Sequence, residues 1–149
     1  MAIARGAGTE IIRTVHLEEV DLTVSDLIVG VQHHIYTVLS VIFYAASLSA
    51  EGNYVRMKIL GYDSKEGTTN ITHHIFKQDM NQGATFVWND KFSFNGYEPT
   101  DFAGPMDDAT KQDAIADQGS SVAQRLQVWT ENAADNVHVT CTYIDQNNA

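Results

Sequence analysis

Six histidines are the residues of this chain best suited to bind a metal: His16, His33, His34, His73, His74 and His138. Neighbouring residues of a strand point to opposite faces of a sheet, so each His-His pair offers one ligand to either face. No HExxH or HxH spacing and no nearby cysteine supplies the other ligands of a metal site. We therefore expect exposed or hydrogen-bonded histidines, and we predict no metal site and no cofactor.

The single cysteine, Cys141, is the first candidate for a nucleophile. It alternates in register with Val137, Val139 and Tyr143, which is typical of a small apolar side chain in a buried strand. It cannot form an intrachain disulfide, and it has no second cysteine with which to bind zinc. The chain also lacks the GxSxG and SxxK motifs of serine-based catalysis. The sequence therefore predicts no catalytic residues and no enzymatic activity.

An acidic stretch occupies residues 97–121. Its central part, residues 98–117, holds six acidic side chains and one base, Lys111. Carboxylates suit calcium, but their spacing does not match the D-x-[DN]-x-[DN]-G pattern of a calcium loop. Loops of this length are usually functional or disordered. We predict a solvated or partner-facing loop in which DDATKQDAIADQ can form a short helix, and its contact candidates are Asp101, Asp107 and Asp108.

Two sets of aromatic residues differ in their surroundings. One set alternates with polar residues, as expected of a strand face buried in a core, and comprises Phe86, Trp88, Phe92 and Phe94. Trp129 instead shares its strand face with Gln127 and Glu131. A tryptophan flanked by polar residues indicates a strand edge or an interface. Trp129 is therefore a candidate for contact with a partner.

The elements that position these residues are strands, because the dominant pattern along the chain has period two. Polar turns separate eight strand candidates, at residues 10–17, 27–31, 34–46, 54–60, 70–77, 84–94, 123–130 and 137–144. Eight strands with almost no helical periodicity predict an all-β fold, an antiparallel β-sandwich with a jelly-roll-like arrangement. The turn ENAADN between the last two strands is predicted to be an exposed tip.

The predicted organisation is one domain with two unusual segments. Residues 1–20 are predicted to be an arm and first strand that contact other subunits, and residues 21–149 the β-sandwich with its inserted loop at 97–121. A small, flexible arm at residues 1–9 followed by a β-branched strand suits strand addition onto a neighbouring chain. The expected apolar anchors are Ile3, Ile11 and Ile12, and Arg5 and Arg13 are expected to meet acidic partners.

Charge restricts the partners of this chain. Charged residues are 19% of the 149, and 9 Lys and Arg against 19 Asp and Glu give a formal net charge of −10. Such a chain repels nucleic-acid phosphates and anionic membranes. Its most apolar run, residues 35–48, is too short and too polar to span a membrane, and residues 1–9 lack the apolar core of a signal peptide. We therefore expect a protein made in a cytoplasm that binds neither nucleic acid nor membrane.

Three stretches of the sequence resemble small virion proteins of tailed bacteriophages. They are IYTVLSVIFYAASLSAEGNYVRMKILGYDS, ATFVWNDKFSFNGYE and LQVWTENAADNVHVTCTYIDQ. The resemblance extends over residues 34–96 and 122–146 and rests on strand pattern and the terminal hairpin. It implies a jelly-roll-like β-sandwich that decorates or cements a phage capsid without catalysis. It further implies a homotrimer on the capsid surface that contacts the major capsid protein.

Two other functions are compatible with the residues. A carbohydrate- or receptor-binding β-sandwich of a phage tail or fibre would use Trp129 or exposed tyrosines, with calcium at the acidic loop. A cupin-like enzyme would use the histidines to bind iron, zinc or manganese. We favour capsid decoration, because an arm, a low content of charge and the lack of a catalytic motif are all expected of a protein that works by binding.

Overall fold

The computed structural model describes residues 8–63, 68–97 and 123–147. These ranges contain nine strands: β1 (Thr9–Val20), β2 (Ser25–Val29), β3 (His34–Ser47), β4 (Tyr54–Asp63), β5 (Thr68–Asp79), β6 (Thr85–Trp88), β7 (Phe92–Asn95), β8 (Arg125–Thr130) and β9 (Asn136–Asn147). No helix occurs in them, so none there is long and apolar enough to cross a membrane. Residues 1–7 of the predicted arm (1–9) lie outside the described residues, and so do residues 98–121 of the predicted acidic loop (97–121) with its short helix.

The strands form two antiparallel sheets that face each other as a sandwich. The five-stranded sheet has the order β1-β9-β3-β6, with β7 also pairing β3, and the four-stranded sheet has the order β2-β8-β4-β5. The pairing is nested, because β1 pairs β9, β2 pairs β8, β3 pairs β6 and β7, and β4 pairs β5. A long antiparallel hairpin wrapped into two sheets in this way is a jelly roll. The structure confirms the predicted all-β antiparallel sandwich.

The strand predicted at residues 84–94 is in fact two strands, β6 and β7. β6 ends opposite Val41 of β3 and β7 begins opposite Val38, so the three residues 89–91 lie opposite only two residues of β3. Regular alternation would point Asp90 into the core, where an unpaired carboxylate is costly. The extra residue leaves Asp90 exposed, while the aromatic residues on either side pack against the core. This interruption turns the eight predicted strands into nine.

The core lies between the sheets and draws side chains from both. Its largest fully buried side chains are Phe43 of β3 and Met57 of β4. Phe43 meets Phe76 edge-on with 5.3 Å between ring centroids, and Phe76 stacks on Trp88 at 5.3 Å. The four aromatic residues predicted to be core are confirmed in this position, one buried and three partly buried: Phe94, and Phe86, Trp88 and Phe92.

Cys141 lies on β9 inside this core and is fully buried, as the sequence predicts. Burial raises the pKa of its thiol to about 12. Because the thiolate is the reactive form of cysteine, the side chain is held in an unreactive state at neutral pH. Its role in the described structure is packing.

The turn between β8 and β9 is only partly the exposed tip that the sequence predicts. Residues 131–134 are exposed, but Asp135 is only 5% exposed. Its carboxylate accepts hydrogen bonds from the Ser49 N–H at 2.8 Å, from Asn53 Nδ2 at 3.0 Å and from the Asn132 N–H at 3.0 Å. Burial alone would raise the pKa of Asp135, but these hydrogen bonds outweigh burial and lower the pKa. The expectation of a wholly exposed tip is therefore wrong at this position, because this carboxylate joins the turn to the one after β3.

Candidate functional site

On the outer face of the five-stranded sheet, the paired residues of β1, β9, β3 and β6 that lie between Glu10 and Glu18 carry no charge, and the exposed Lys91 lies in the interruption between β6 and β7. Alternation along the paired strands places on this face Ile12, Thr14, His16, Ser40, Ile42, Tyr44, Val87, His138, Thr140, Thr142 and Ile144. We call these residues the neutral face. Glu10 and Glu18 stand at its margins on β1.

Large apolar side chains are exposed on the neutral face. Ile12 is 70% exposed, Val87 48%, Tyr44 43% and Ile42 40%. One row crosses four strands through His16, Thr140, Ile42 and Val87. Ile42, Tyr44 and Val87 are neighbours on β3 and β6, whereas Ile12 stands apart on β1, and contiguous exposed apolar surface marks sites of interaction in soluble proteins. The neutral face is therefore a candidate surface for a partner that is itself weakly charged there.

Two of the histidines lie on the neutral face and pack with its other residues. His16 Nδ1 is 2.7 Å from Thr140 Oγ1, and the ring centroids of His16 and His138 are 5.9 Å apart. Tyr44 meets His138 edge-on, also at 5.9 Å. Among the residues that the structure describes, no group of three or more His, Cys, Asp or Glu side chains is placed to hold a metal ion. The rings of His16, His138 and Tyr44 therefore pack against each other and form part of the surface of the neutral face.

β1 is the terminal strand of the five-stranded sheet, and within the described ranges it pairs along one edge only, with β9. An edge strand can pair its backbone N–H and C=O groups with a strand of another chain. Ile12 lies in β1 opposite Ile144, so it belongs to the neutral face, while Ile11 is half-buried on the inner side. The neutral face thus continues into an edge that is open to strand addition.

Arg13, also in β1, is engaged within its own chain. Its Nε donates to Asp145 Oδ2 at 3.0 Å, and His34 Nδ1 lies 2.6 Å from Asp145 Oδ1. Asp145 is buried, so the two contacts tie β1, β3 and β9 together at one end of the sheet. Burial raises the pKa of neighbouring Tyr36 to about 12 and also raises the pKa of Tyr143.

A histidine paired with an aspartate also occurs in catalytic triads, where the other ring nitrogen contacts a nucleophile. In the described part of the chain, the His34 ring forms a hydrogen bond with Asp145 and with no serine, threonine or cysteine. The surroundings of Asp145 therefore match a structural tie between strands.

The outer face of the four-stranded sheet has the opposite character. Trp129 of β8, Arg56 of β4 and Lys77 of β5 lie in one row across three strands. Arg56 Cζ is 5.5 Å from the ring centroids of Tyr54 and Trp129. Lys58 Nζ is 4.9 Å from the Trp129 centroid, and Lys77 Nζ is 4.7 Å from that of Tyr54. At these distances the rings attract the cations. We call these five residues the cationic face.

The three cations of the cationic face have no carboxylate partner in the described structure. No Asp or Glu of the described ranges lies within ion-pairing distance of Arg56, Lys58 or Lys77. Arg125 on the same sheet does have one, because its guanidinium bonds Asp26 at 2.7 Å. Arg56 Nε is moreover buried without a hydrogen-bond acceptor. Among the described residues, three positive charges without an ion-pair partner therefore lie side by side, and the acids Asp79 and Glu131 stand at the margin of the same face.

The structure separates the predicted contact residues onto different surfaces. Ile12 lies on the neutral face and Trp129 on the cationic face, at opposite sides of the sandwich. Ile11 and Arg13 lie in β1, where Arg13 already has a partner. The remaining contact candidates lie outside the described residues: Ile3, Arg5, Asp101, Asp107 and Asp108.

Sequence reasoning missed the cations around Trp129. The signal for two of them was present, because Arg56 and Lys58 alternate with the inward residues Val55 and Met57 of β4. Their meeting with Trp129 depends on the pairing of β4 with β8, which no local pattern reveals. The cationic face is therefore a product of sheet register.

No protein-family model and no curated protein matches this chain. A chain of the disulfide-linked pili of Bacillus endospore appendages is 12% identical, with a TM-score of 0.44, and the match covers 100% of this chain and 97% of that chain. A chain of the T13 particle of IBDV is 10% identical with a TM-score of 0.42, covering 99% of this chain and 37% of that one.

A chain of the Gx strain of infectious bursal disease virus is 11% identical with a TM-score of 0.40, covering 93% of this chain and 32% of that one. The present chain therefore spans about a third of these two viral chains. At such TM-scores and identities, the three similarities identify neither the family nor the function of the chain.

Proposed function

We propose that the protein is a non-enzymatic structural subunit of a phage particle, which binds the outside of the capsid as a decoration or cement protein. The single observation that carries this proposal is the neutral face and its continuation into the open edge of β1. The resemblance of the sequence to small phage virion proteins supports the same assignment.

The neutral face suits a long-lived contact, because its burial removes apolar surface from water without burying an unpaired charged side chain. Ile12, Ile42 and Val87 are all at least 40% exposed in the isolated chain. Complete burial of such a side chain stabilises a complex by about 1.5–3 kcal/mol, and these partly exposed ones contribute less each. A buried Lys or Glu without a partner would cost several kcal/mol and cancel that gain. The composition of this face avoids that cost.

The open edge of β1 gives a second, directional contact. Backbone hydrogen bonds to a capsid strand would fix the register of the subunit on the shell, while the neutral face supplies the apolar area. We include Ile3, Arg5, Ile11 and the acidic residues Asp101, Asp107 and Asp108 in the proposed contacts with the major capsid protein or with other copies. The proposed assembly is a homotrimer on the capsid surface.

Such a subunit stabilises the shell by mass action. It binds the assembled capsid and has no affinity for the dissociated parts, so its binding free energy opposes disassembly. No catalytic group is needed for this role. The unreactive Cys141 and the structural His34–Asp145 pair are consistent with it.

The location and copy number of the chain in purified particles test the proposal. Particles from an infected host are separated into capsids and tails, and the chain is quantified in each fraction by mass spectrometry. Decoration predicts hundreds of copies on capsids, and shells from which the chain has been removed should disassemble more readily than decorated shells. A handful of copies confined to tails would exclude a decoration role.

A carbohydrate- or receptor-binding function in a tail or fibre is the second candidate. The observation in its favour is that Tyr54 and Trp129 lie on one outer face. Arg56, Lys58 and Lys77 lie over these rings, so a sugar would have to displace them in order to stack. A glycan array tests this function, because specific binding abolished by Trp129→Ala would establish it in place of decoration.

A further inference from the structure

We propose that the cationic face binds an acidic polypeptide segment of a neighbouring protein, whose Asp and Glu side chains pair with Arg56, Lys58 and Lys77. This inference is independent of the proposed capsid function, which uses the opposite side of the sandwich. It concerns a surface that the neutral face and β1 leave unused.

The first argument is the local charge. Lys and Arg number only 9 in the chain, against 19 Asp and Glu, yet three of them stand together here with no ion-pair partner among the described residues. Arg56 and Lys58 are two residues apart on β4, and Lys77 lies opposite Arg56 on β5. Their mutual repulsion lowers the stability of the isolated chain, and an acidic partner would relieve it. The charge complement of this face is therefore a set of closely spaced carboxylates.

The second argument is that the cations are held in place before any partner arrives. Each lies 4.7–5.5 Å from the centroid of Tyr54 or Trp129, and the two rings are half-buried on the sheet. Ordering long Lys and Arg side chains costs conformational entropy when a partner binds. Because the rings already restrict these side chains in the free chain, part of that cost is removed from the binding step. The planar guanidinium of Arg56 further matches the two oxygens of a carboxylate.

The third argument selects a polypeptide over a long polyanion. Tryptophan, tyrosine and arginine are the residue types that dominate binding energy at protein interfaces. Carboxylates also bracket the face: Glu131 accepts the Tyr54 N–H at 3.3 Å on one side, and Asp26 accepts from Gln127 at 2.7 Å on the other. These acidic groups would repel a polyanion that carries charge on every unit as it passes the three cations. In a polypeptide the carboxylates can be spaced to face the cations and to leave uncharged residues opposite Glu131 and Asp26.

The test uses the full chain and a synthetic acidic peptide. A synthetic peptide of alternating Glu and Ser, a sequence that does not occur in this chain, serves as the probe. Its control has every Glu replaced by Gln. Binding is measured by calorimetry in low and high salt for the wild type, Lys77→Gln, Lys58→Gln/Lys77→Gln and Lys91→Gln. Lys91 is the matched control, because it is an exposed lysine between β6 and β7, outside the cationic face.

The wild type is expected to bind the acidic peptide and not its neutral control, and binding should weaken in high salt. Lys77→Gln should weaken binding about fivefold and the double variant by more than about tenfold, whereas Lys91→Gln leaves it unchanged. Equal losses for Lys77→Gln and Lys91→Gln, or no peptide binding at all, would overturn the proposal. So would Lys77-dependent binding of heparin without binding of the peptide, which would assign the face to a polysaccharide. Thermal unfolding of each variant separates loss of binding from loss of fold.

Discussion

At the scale of single residues, two buried carboxylates hold the ends of the sandwich together. Asp145 joins three strands of one sheet through Arg13 and His34, and Asp135 joins two turns through Ser49 and Asn53. Both residues are 5% exposed. Their hydrogen bonds offset the cost of removing a charged group from water. The alternating pattern marks the strands, but it does not mark these ties, because each depends on a partner more than 80 residues away.

Asp135 makes the free energy of unfolding depend on pH in the acidic range. Because its pKa is lower in the folded state than the ordinary value of 3.8, the folded state binds fewer protons than the unfolded state in acid. The stabilisation is therefore complete above about pH 5 and is lost as the pH falls through the lowered pKa of the folded state. Denaturant unfolding at pH 3 to 7 should show this fall in the wild type and a weaker one in Asp135→Asn.

Removal of the Asp135 carboxylate altogether measures the strength of the tie. Asp135→Ala leaves the donors of Ser49, Asn53 and Asn132 without their acceptor and should lower the free energy of unfolding by about 1–3 kcal/mol. The exposed acid Asp90, which lies in the turn between β6 and β7, gives a matched control in Asp90→Ala. If the two variants lose similar amounts of unfolding free energy, the hydrogen bonds of Asp135 do not stabilise the fold beyond the effect of an exposed acid.

Cys141 should be unreactive toward thiol reagents in the folded protein. With its thiol fully buried and its pKa raised to about 12, the thiolate is present in only about one molecule in 10,000 at pH 8. A maleimide or iodoacetamide reagent should therefore label the native chain far more slowly than the chain in denaturant, as measured by mass spectrometry. Rapid labelling of the native chain at pH 8 would mean that this strand opens readily.

At the scale of elements, the strands follow from alternation, but their breaks and crossings do not. The pattern over residues 84–94 correctly indicates a buried aromatic stripe, yet β3 has one residue fewer opposite it, and the strand breaks at residues 89–91. The cationic face could not be predicted from the sequence either, because the contact of Arg56 with Trp129 depends on the register between β4 and β8. Local pattern therefore predicts elements and their faces, whereas pairing decides which faces share a surface.

Gly30 and Gly96 lie where three backbone segments come into close contact, and the alternation of the strands does not predict this contact. Gly96 N–H donates to the His34 carbonyl at 2.8 Å, and the Gly96 carbonyl accepts from the Gln124 N–H at 2.8 Å. Gly30 N–H donates to the Gln124 carbonyl at 2.7 Å. A side chain on Gly96 would overlap the backbone of Val31, and one on Gly30 would overlap the Gly96 carbonyl. Glycine is required here by close approach of three backbones.

Gly96→Ala should therefore destabilise the fold through a backbone clash, by about 3 kcal/mol or more. Gly52→Ala is the control, because Gly52 has a φ of +87° but open space around its Cα, so alanine there meets only the local strain of about 1 kcal/mol. Chemical denaturation of both variants gives the comparison. If Gly96→Ala is no more damaging than Gly52→Ala, the three backbones are not in close contact.

At the scale of the whole molecule, the two sheets present different chemistry to the outside. One offers a neutral, partly apolar face that ends in an open strand. The other offers three cations over aromatic rings, without an ion-pair partner among the described residues. A subunit with two unlike faces can contact two unlike neighbours, which is the geometry that a protein between capsid subunits requires.

The central claim, that the neutral face binds the capsid, is tested most directly by a matched pair of substitutions. Ile42 on the neutral face is 40% exposed and Val29 on β2 of the other sheet is 45% exposed, so glutamate at either position perturbs the isolated chain to a similar extent. The binding of each variant to purified capsids that lack the protein is measured by co-sedimentation. Ile42→Glu should weaken binding by at least about tenfold, because a charge would be buried without a partner, and Val29→Glu should bind like the wild type. Capsid binding that survives Ile42→Glu, or that Val29→Glu weakens equally, would contradict the account.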